Sequence, residues 1–163
     1  DSYDLDQLRN ILLRRSGLIL VTGPVASGKS TTLYAMLHEL NDGTRKIHTI
    51  EDPIEHPLSG VMQSQINHRL HIGFSELLSA VLRHSPDVVM IGEIRDRQTA
   101  ETAIRAGASG QLVLATVHSK TAAEAVDMVL HYESNYKYLA AAMNCVINQR
   151  LVKRLCPKCK QLV

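Results

Sequence analysis

Residues 23–30 read Gly-Pro-Val-Ala-Ser-Gly-Lys-Ser, a complete G-x-x-x-x-G-K-[ST] phosphate loop, and few short motifs restrict a fold as tightly. Its glycines let the backbone wrap closely, so that successive N–H groups face an enclosed anion. Lys29 adds a point charge for the outer phosphate oxygens, and the Ser30 hydroxyl a ligand for Mg²⁺. The fixed positions match by chance in on the order of 1% of chains this long, so the flanks decide. Residues 17–22 (GLILVT) form an apolar, β-branched run suited to a buried strand, and residues 31–40 (TTLYAMLHEL) suit a helix opening at the loop. Strand, loop and helix follow in the required order, and the helix N-terminus adds its own unpaired N–H groups to the anion site. Gly23, Pro24, Val25, Ala26, Ser27, Gly28, Lys29, Ser30 and Thr31 are therefore the candidate triphosphate-binding residues.

The rest of the chain repeats the strand and helix pattern. Leu5, Leu8, Ile11 and Leu12 give residues 1–16 a helical stripe that leads into the first strand. A second strand is expected over 46–51 (KIHTIE), halted by Asp52-Pro53. Phe74, Leu77, Leu78, Val81 and Leu82 mark one helix face before Pro86, and residues 87–92 (DVVMIG) a buried strand. Asp96 suits the N-cap of a helix running to Ala106 with Gly107 as its stop. Residues 111–117 (QLVLATV) form another strand, Thr121 to Glu124 a capping box, and residues 136–150 a final helix. Strands without polar alternation, separated by helices, predict an α/β fold with a mostly parallel sheet covered on both faces.

Composition narrows the class. The 163 residues suffice for one domain, expected over 1–163, and contain no apolar run long enough to cross a bilayer and no signal-peptide pattern. Three cysteines without a secretory start point to a reducing compartment rather than a disulfide scaffold. A net charge of only +2, with no Trp and one Phe, argues against a nucleic-acid partner. The chain opens on Asp1 without methionine, as a piece of a longer protein would.

Phosphoryl chemistry on such a loop needs carboxylates at strand ends. Glu51, Asp52 and Glu55 gather after the second strand, where a solvated acidic turn is the ordinary reading. Glu93 follows the strand over 87–92, at the sheet edge where α/β proteins bind ligands. His118 ends the 111–117 strand at the same edge, a candidate γ-phosphate sensor where a lone histidine is usually structural. His68 and His71 read as polar loop rather than metal ligands.

Four segments, GPVASGKSTTLYAM, TIEDPIEHP, LRHSPDVVMIGEIRD and LVLATVHSKTAAEAVD, resemble in order those of the secretion and pilus traffic ATPases. The resemblance implies a RecA-like P-loop core with ATP and Mg²⁺ as cofactors. It also implies a ring hexamer acting on an inner-membrane platform protein, cytoplasmic and peripheral to that membrane. By motif position, Glu55 corresponds to the catalytic base, Glu93 to the Walker B carboxylate at the Mg²⁺ shell, His118 to the second histidine of the family's histidine box, and Lys29 and Ser30 to the Walker A functions. The chain departs from the family pattern at several positions. Gln111 stands where the first histidine of that box is usual, Ser79 where an arginine is common, His84-Ser85 where a more acidic pair is common, and Ala26 where glycine is common inside the loop. Cys156 and Cys159 form half a zinc site at the start of a cysteine module truncated over 153–163. Tetrahedral zinc needs four ligands, so zinc is expected only in a longer chain. These cysteines favour the assembly and secretion branch. Cys145 reads as a small buried hydrophobe on the last helix. Two other readings stand beside the motor ATPase. One is a nucleotide-binding and oligomerisation module that is catalytically deficient without an N-terminal domain. The other is a nucleic-acid-dependent RecA-like ATPase.

Overall fold

The computed structural model describes residues 2–132, 135–156 and 159. Helix α1 (Ser2–Leu12) leads into β1 (Gly17–Thr22), and α2 (Lys29–Leu40) follows the phosphate loop. Strands β2 (Ile47–Glu51) and β3 (Met62–Gln65) precede a 3₁₀ turn (His68–Leu70) and α3 (Phe74–Leu82). Then come β4 (Val88–Ile91), α4 (Arg97–Ala108), β5 (Leu112–Val117), α5 (Ala122–Tyr132), α6 (Tyr136–Ala142) and β6 (Met143–Asn148). The six strands pair in the order β3-β2-β4-β5-β1-β6, and every pairing is parallel.

Alternate residues of each central strand point to opposite faces, so two cores form. Leu18, Leu20, Val89, Ile91, Val113 and Ala115 pack beneath α3 to α6. Ile19, Val21, Met90 and Leu114 pack beneath α1 and α2, where Leu33 and Leu37 are fully buried. Every residue of β1, β2, β4 and β5 is buried, which is why their sequences lack polar alternation. The edge strands differ. β6 is half-buried throughout, and β3 is half-buried or exposed.

Four expectations need correction. Residues 136–150 are not one helix: α6 ends at Ala142, and β6 then pairs with β1, Leu20 lying opposite Val146 and Thr22 opposite Asn148. Without β6, the outer N–H and C=O groups of a fully buried β1 would lack partners, and that requirement overrides the local helical preference. Cys145 accordingly lies on this strand, half-buried, and burial raises its thiol pKa. Gly107 lies inside α4 rather than stopping it, because a Cβ there would stand 3.1 Å from the Gly17 carbonyl carbon; Ser109 caps the helix instead. Glu124 closes its capping box one residue early: its own N–H donates to Thr121 Oγ1 at 3.1 Å, while its carboxylate accepts from the Lys120 N–H at 2.8 Å. Strand β3 was not foreseen. Asp96 does cap α4, accepting from the Thr99 N–H at 2.8 Å.

No helix among the described residues is long and apolar enough to cross a membrane. Residues 157, 158 and 160–163 of the cysteine-bearing tail lie outside the described residues.

Candidate functional site

The parallel sheet delivers the carboxyl ends of β1, β2, β4 and β5 to one edge, and the loops leaving them surround a cavity of about 190 Å³. Lys29 and Ser30 line it from α2, Glu51, Asp52 and Glu55 from the turn after β2, Glu93 and Arg95 from the turn after β4, and His118 from the end of β5. Glu55, Glu93, Lys29 and His118, singled out in the sequence, therefore face one space. Ala26, Lys29, Ser30 and Glu55 also border a second cavity, of about 770 Å³, which runs along the loop past Gly28 and Thr31.

Pro24, Val25 and Ala26 form an exposed crest of the phosphate loop. Ala26 takes φ 59°, a left-handed conformation that costs an L-residue about 1–2 kcal/mol and explains why glycine suits this position. Gly28 has φ 85° and ends the loop as the N-cap of α2. The buried Lys29 ammonium donates to the carbonyls of Gly23 and Pro24, both at 3.0 Å, and is thus held over the loop it serves. The loop's N–H groups are not all turned inward. That of Ser27 donates back to the Pro24 carbonyl at 3.3 Å, which closes a turn within the loop. Ser30 and Thr31, on the first turn of α2, are exposed.

Glu51, the last residue of β2, is only 3% exposed. It accepts hydrogen bonds from the Tyr34 hydroxyl and the Thr49 hydroxyl, and from Gln63 Nε2 at 3.0 Å. Burial, then the hydrogen bond and charge of Glu51, push the Tyr34 pKa up to about 12, so this phenol stays a donor. Gln63, from the unforeseen β3, also reaches the His56 carbonyl at 3.2 Å and accepts from the Leu58 N–H at 2.7 Å. These bonds pin the loop carrying Glu55, whose own side chain is exposed.

Glu93 is held otherwise. Its Oε1 lies 2.7 Å from His118 Nε2, and its Oε2 accepts from Arg95 Nε. Two strand-end contacts bring the pair together: Thr116 Oγ1 donates to the Gly92 carbonyl at 2.6 Å, and the Ile94 N–H to the Thr116 carbonyl at 3.0 Å. Arg95 Nη1 also stands 3.8 Å from Asp52, which lies 3.1 Å from His68, so the two carboxylate turns are bridged. The Ser119 N–H donates to Thr22 Oγ1 at 3.0 Å, fixing the exit of β5, and with it His118, against the exit of β1.

Cys156 and Cys159 are exposed, and among the described residues no group of three or more His, Cys, Asp or Glu side chains gathers to hold a metal. Two thiols leave a tetrahedral zinc set incomplete. His68 opens the 3₁₀ turn and His71 caps it, and neither joins a metal-binding cluster among the described residues. The sequence reading missed Tyr34, Gln63 and Gln149. Gln149 fell inside the supposed last helix, yet its side chain touches the phosphate loop.

The chemistry of this donor set is clear. Carboxylates at the strand ends face a loop that carries the buried Lys29 ammonium, an arrangement that suits a phosphate chain. Comparison with known proteins agrees. The family described as Type II/IV secretion system protein matches residues 1–163. The chain is 48% identical over 158 residues to the putative type II secretion system protein E of Escherichia coli K12, covering 97% of this chain and 32% of that protein. It is 46% identical over 160 residues to the type II secretion system ATPase E of Vibrio cholerae, covering 98% and 32%. It thus spans about a third of the length of these curated relatives. Among solved structures it resembles the pilus retraction motor PilT with bound ADP, at TM-score 0.83 and 37% identity over 90% of this chain and 46% of that one. It also resembles the Legionella pneumophila ATPase DotB, at TM-score 0.77 and 29% identity over 90% and 44%.

Proposed function

Because this chain belongs to the Type II/IV secretion system protein family, we propose that residues 1–163 are one RecA-like domain, the ATP-hydrolysing core of a secretion or pilus-assembly motor. The observation that carries this is the convergence of Lys29, Ser30, Glu55, Glu93 and His118 on one cavity. ADP bound to PilT and the ATPase naming of the Vibrio cholerae relative support the nucleotide.

In this reading the backbone from Gly23 to Thr31 and the Lys29 ammonium hold the phosphates, Lys29 exchanging its loop carbonyls for phosphate oxygens. Ser30 and Glu93 hold the Mg²⁺ shell. Mg²⁺ held there would offset triphosphate charge beside the four carboxylates. Glu55, whose side chain is exposed, accepts the proton of the attacking water as the water oxygen bonds the γ-phosphorus and the bridging bond to ADP breaks. His118 leaves Glu93 for the γ-phosphate. At the level of the assembly, the subunits form a ring hexamer that works peripherally at the cytoplasmic side of an inner membrane through a platform protein, and zinc at Cys156 and Cys159 belongs to a longer chain. Glu55→Gln should bind nucleotide as the parent does and hydrolyse it about 10²-fold or more slower. Parent-like turnover in that variant removes Glu55 from the role.

A second reading has its own observation. Arg95 is the one guanidinium lining the 190 Å³ cavity among the described residues, and it is already shared between Glu93 and Asp52. Transition-state charge would then need cations from elsewhere, a contribution of about 10³–10⁵ in rate in comparable enzymes. The chain alone would bind nucleotide and turn it over poorly. Turnover of this chain against a longer one separates the two readings.

A further inference from the structure

We propose that Gln149 is a positioning residue of the phosphate loop, holding it from behind in its anion-binding shape; this rests on reading the loop as a nucleotide site. Gln149 directly follows β6, and its backbone N–H donates to the Thr22 carbonyl at 2.9 Å, which continues the ladder to the last residue before the loop. Its side chain then crosses the loop's base. Nε2 donates to the Ser27 carbonyl at 2.7 Å, and Oε1 accepts from Thr32 Oγ1, in the first turn of α2, at 2.8 Å. The carbonyl can only accept, so the amide orientation is fixed by chemistry.

The consequence lies across one peptide plane. In a trans peptide the carbonyl and the next N–H point in opposite directions. Anchoring the Ser27 carbonyl toward Gln149 therefore aims the Gly28 N–H away from Gln149, to the other side of the loop. Both consensus glycines carry the imprint of the same neighbour. A Cβ at Gly23 would stand 2.2 Å from the Gln149 carbonyl oxygen, and one at Gly28 would stand 3.3 Å from Gln149 Nε2. The glycines thus admit Gln149 behind the loop as well as phosphate before it. Adjacent residues extend the grip: Asn148 Nδ2 and Arg150 Nη2 donate to the Lys120 carbonyl at 3.3 and 2.7 Å, two residues beyond His118.

Only a side chain with a donor and an acceptor fits both anchors. A glutamate has the shape, but its ionised form presents oxygen to the Ser27 carbonyl. The test is the affinity of the chain for a fluorescent ATP analogue, each variant taken relative to the parent at the same pH. Near pH 8, Gln149→Ala and Gln149→Glu should each bind about tenfold more weakly, two neutral hydrogen bonds being lost or spoiled. On acidification to about pH 5 the glutamate regains an O–H donor as its carboxyl protonates, so its deficit should shrink about two- to threefold while that of alanine persists. A merely space-filling role would spare the near-isosteric Gln149→Glu and weaken only Gln149→Ala, at either pH, and that result overturns the proposal. Thr32→Val removes one anchor from the far side and should cost about threefold alone and nothing further beside Gln149→Ala. Additive losses in that double variant also overturn it. A parent that binds no better than Lys29→Ala overturns the nucleotide reading itself. A parent that binds, with Gln149→Glu within about twofold of it near pH 8, overturns the positioning role alone.

Discussion

Glu51 and Glu93 both stand at the carboxyl ends of central strands and line the same cavity, yet they are held by opposite chemistry. Glu51 is sealed among the neutral donors of Tyr34, Thr49 and Gln63. Glu93 faces His118 and Arg95, both half-exposed. Neutral partners in a buried pocket cannot be replaced by solvent, so they fix a backbone. Partners at a wet rim, an arginine among them, can be exchanged for a ligand's own groups. The comparison separates a carboxylate that builds the site from one able to work in it.

Truncating the builder should have the largest effect. Glu51→Ala strands two buried hydroxyls and the half-buried Gln63 amide around a cavity and should lower folding stability by about 3–5 kcal/mol, read from denaturant midpoints. A loss below about 1 kcal/mol would make the two carboxylates equivalent. Next comes the worker: Glu93→Gln should lower hydrolysis about 10²-fold, near 3 kcal/mol in the transition state, and leave the denaturation midpoint nearly unchanged.

Tyr34→Phe should cost about 1–2 kcal/mol at neutral pH by taking one donor from Glu51. The alkaline trend gives the sign. The folded-state pKa of Tyr34, about 12, lies above the unfolded value of 10.0, so its contribution is whole below pH 10 and fades as pH rises toward 12. The stability gap between parent and variant should therefore close across that window, and a gap that widens contradicts the network. The smallest effect belongs to the bridge between the turns. Arg95 is 57% exposed and 3.8 Å from Asp52, so Asp52→Asn should change stability by less than about 0.5 kcal/mol.

What could be read from the sequence follows burial. The central strands declare themselves as unbroken apolar runs because both of their faces are covered, and the phosphate loop because its glycines and lysine are chemically indispensable. The edge strands carry no such mark. Met62–Gln65 is mostly polar, and Met143–Asn148 follows the strong helix signal of Tyr136–Ala142, so only the Val146-Ile147 pair hints at extension. Glu93 and His118 could be placed on the cavity because each closely follows a strand whose position the apolar runs set, whereas Glu55, in the turn beyond β2, was singled out through the family resemblance. Tyr34, Gln63 and Gln149 were not, since each acts through partners distant in sequence that no local pattern reveals.

The contact between Gln149 and Ser27 spans 122 positions. A chain made from its N-terminus at about 5–20 residues per second completes the loop's sequence roughly 6–24 s before the residue that braces it. The most recognisable motif of this protein is thus written early and finished late. On the proposed role of Gln149, a nascent chain carries the loop as an unbraced turn until β6 has closed onto β1, and full phosphate affinity is expected only with the completed sheet.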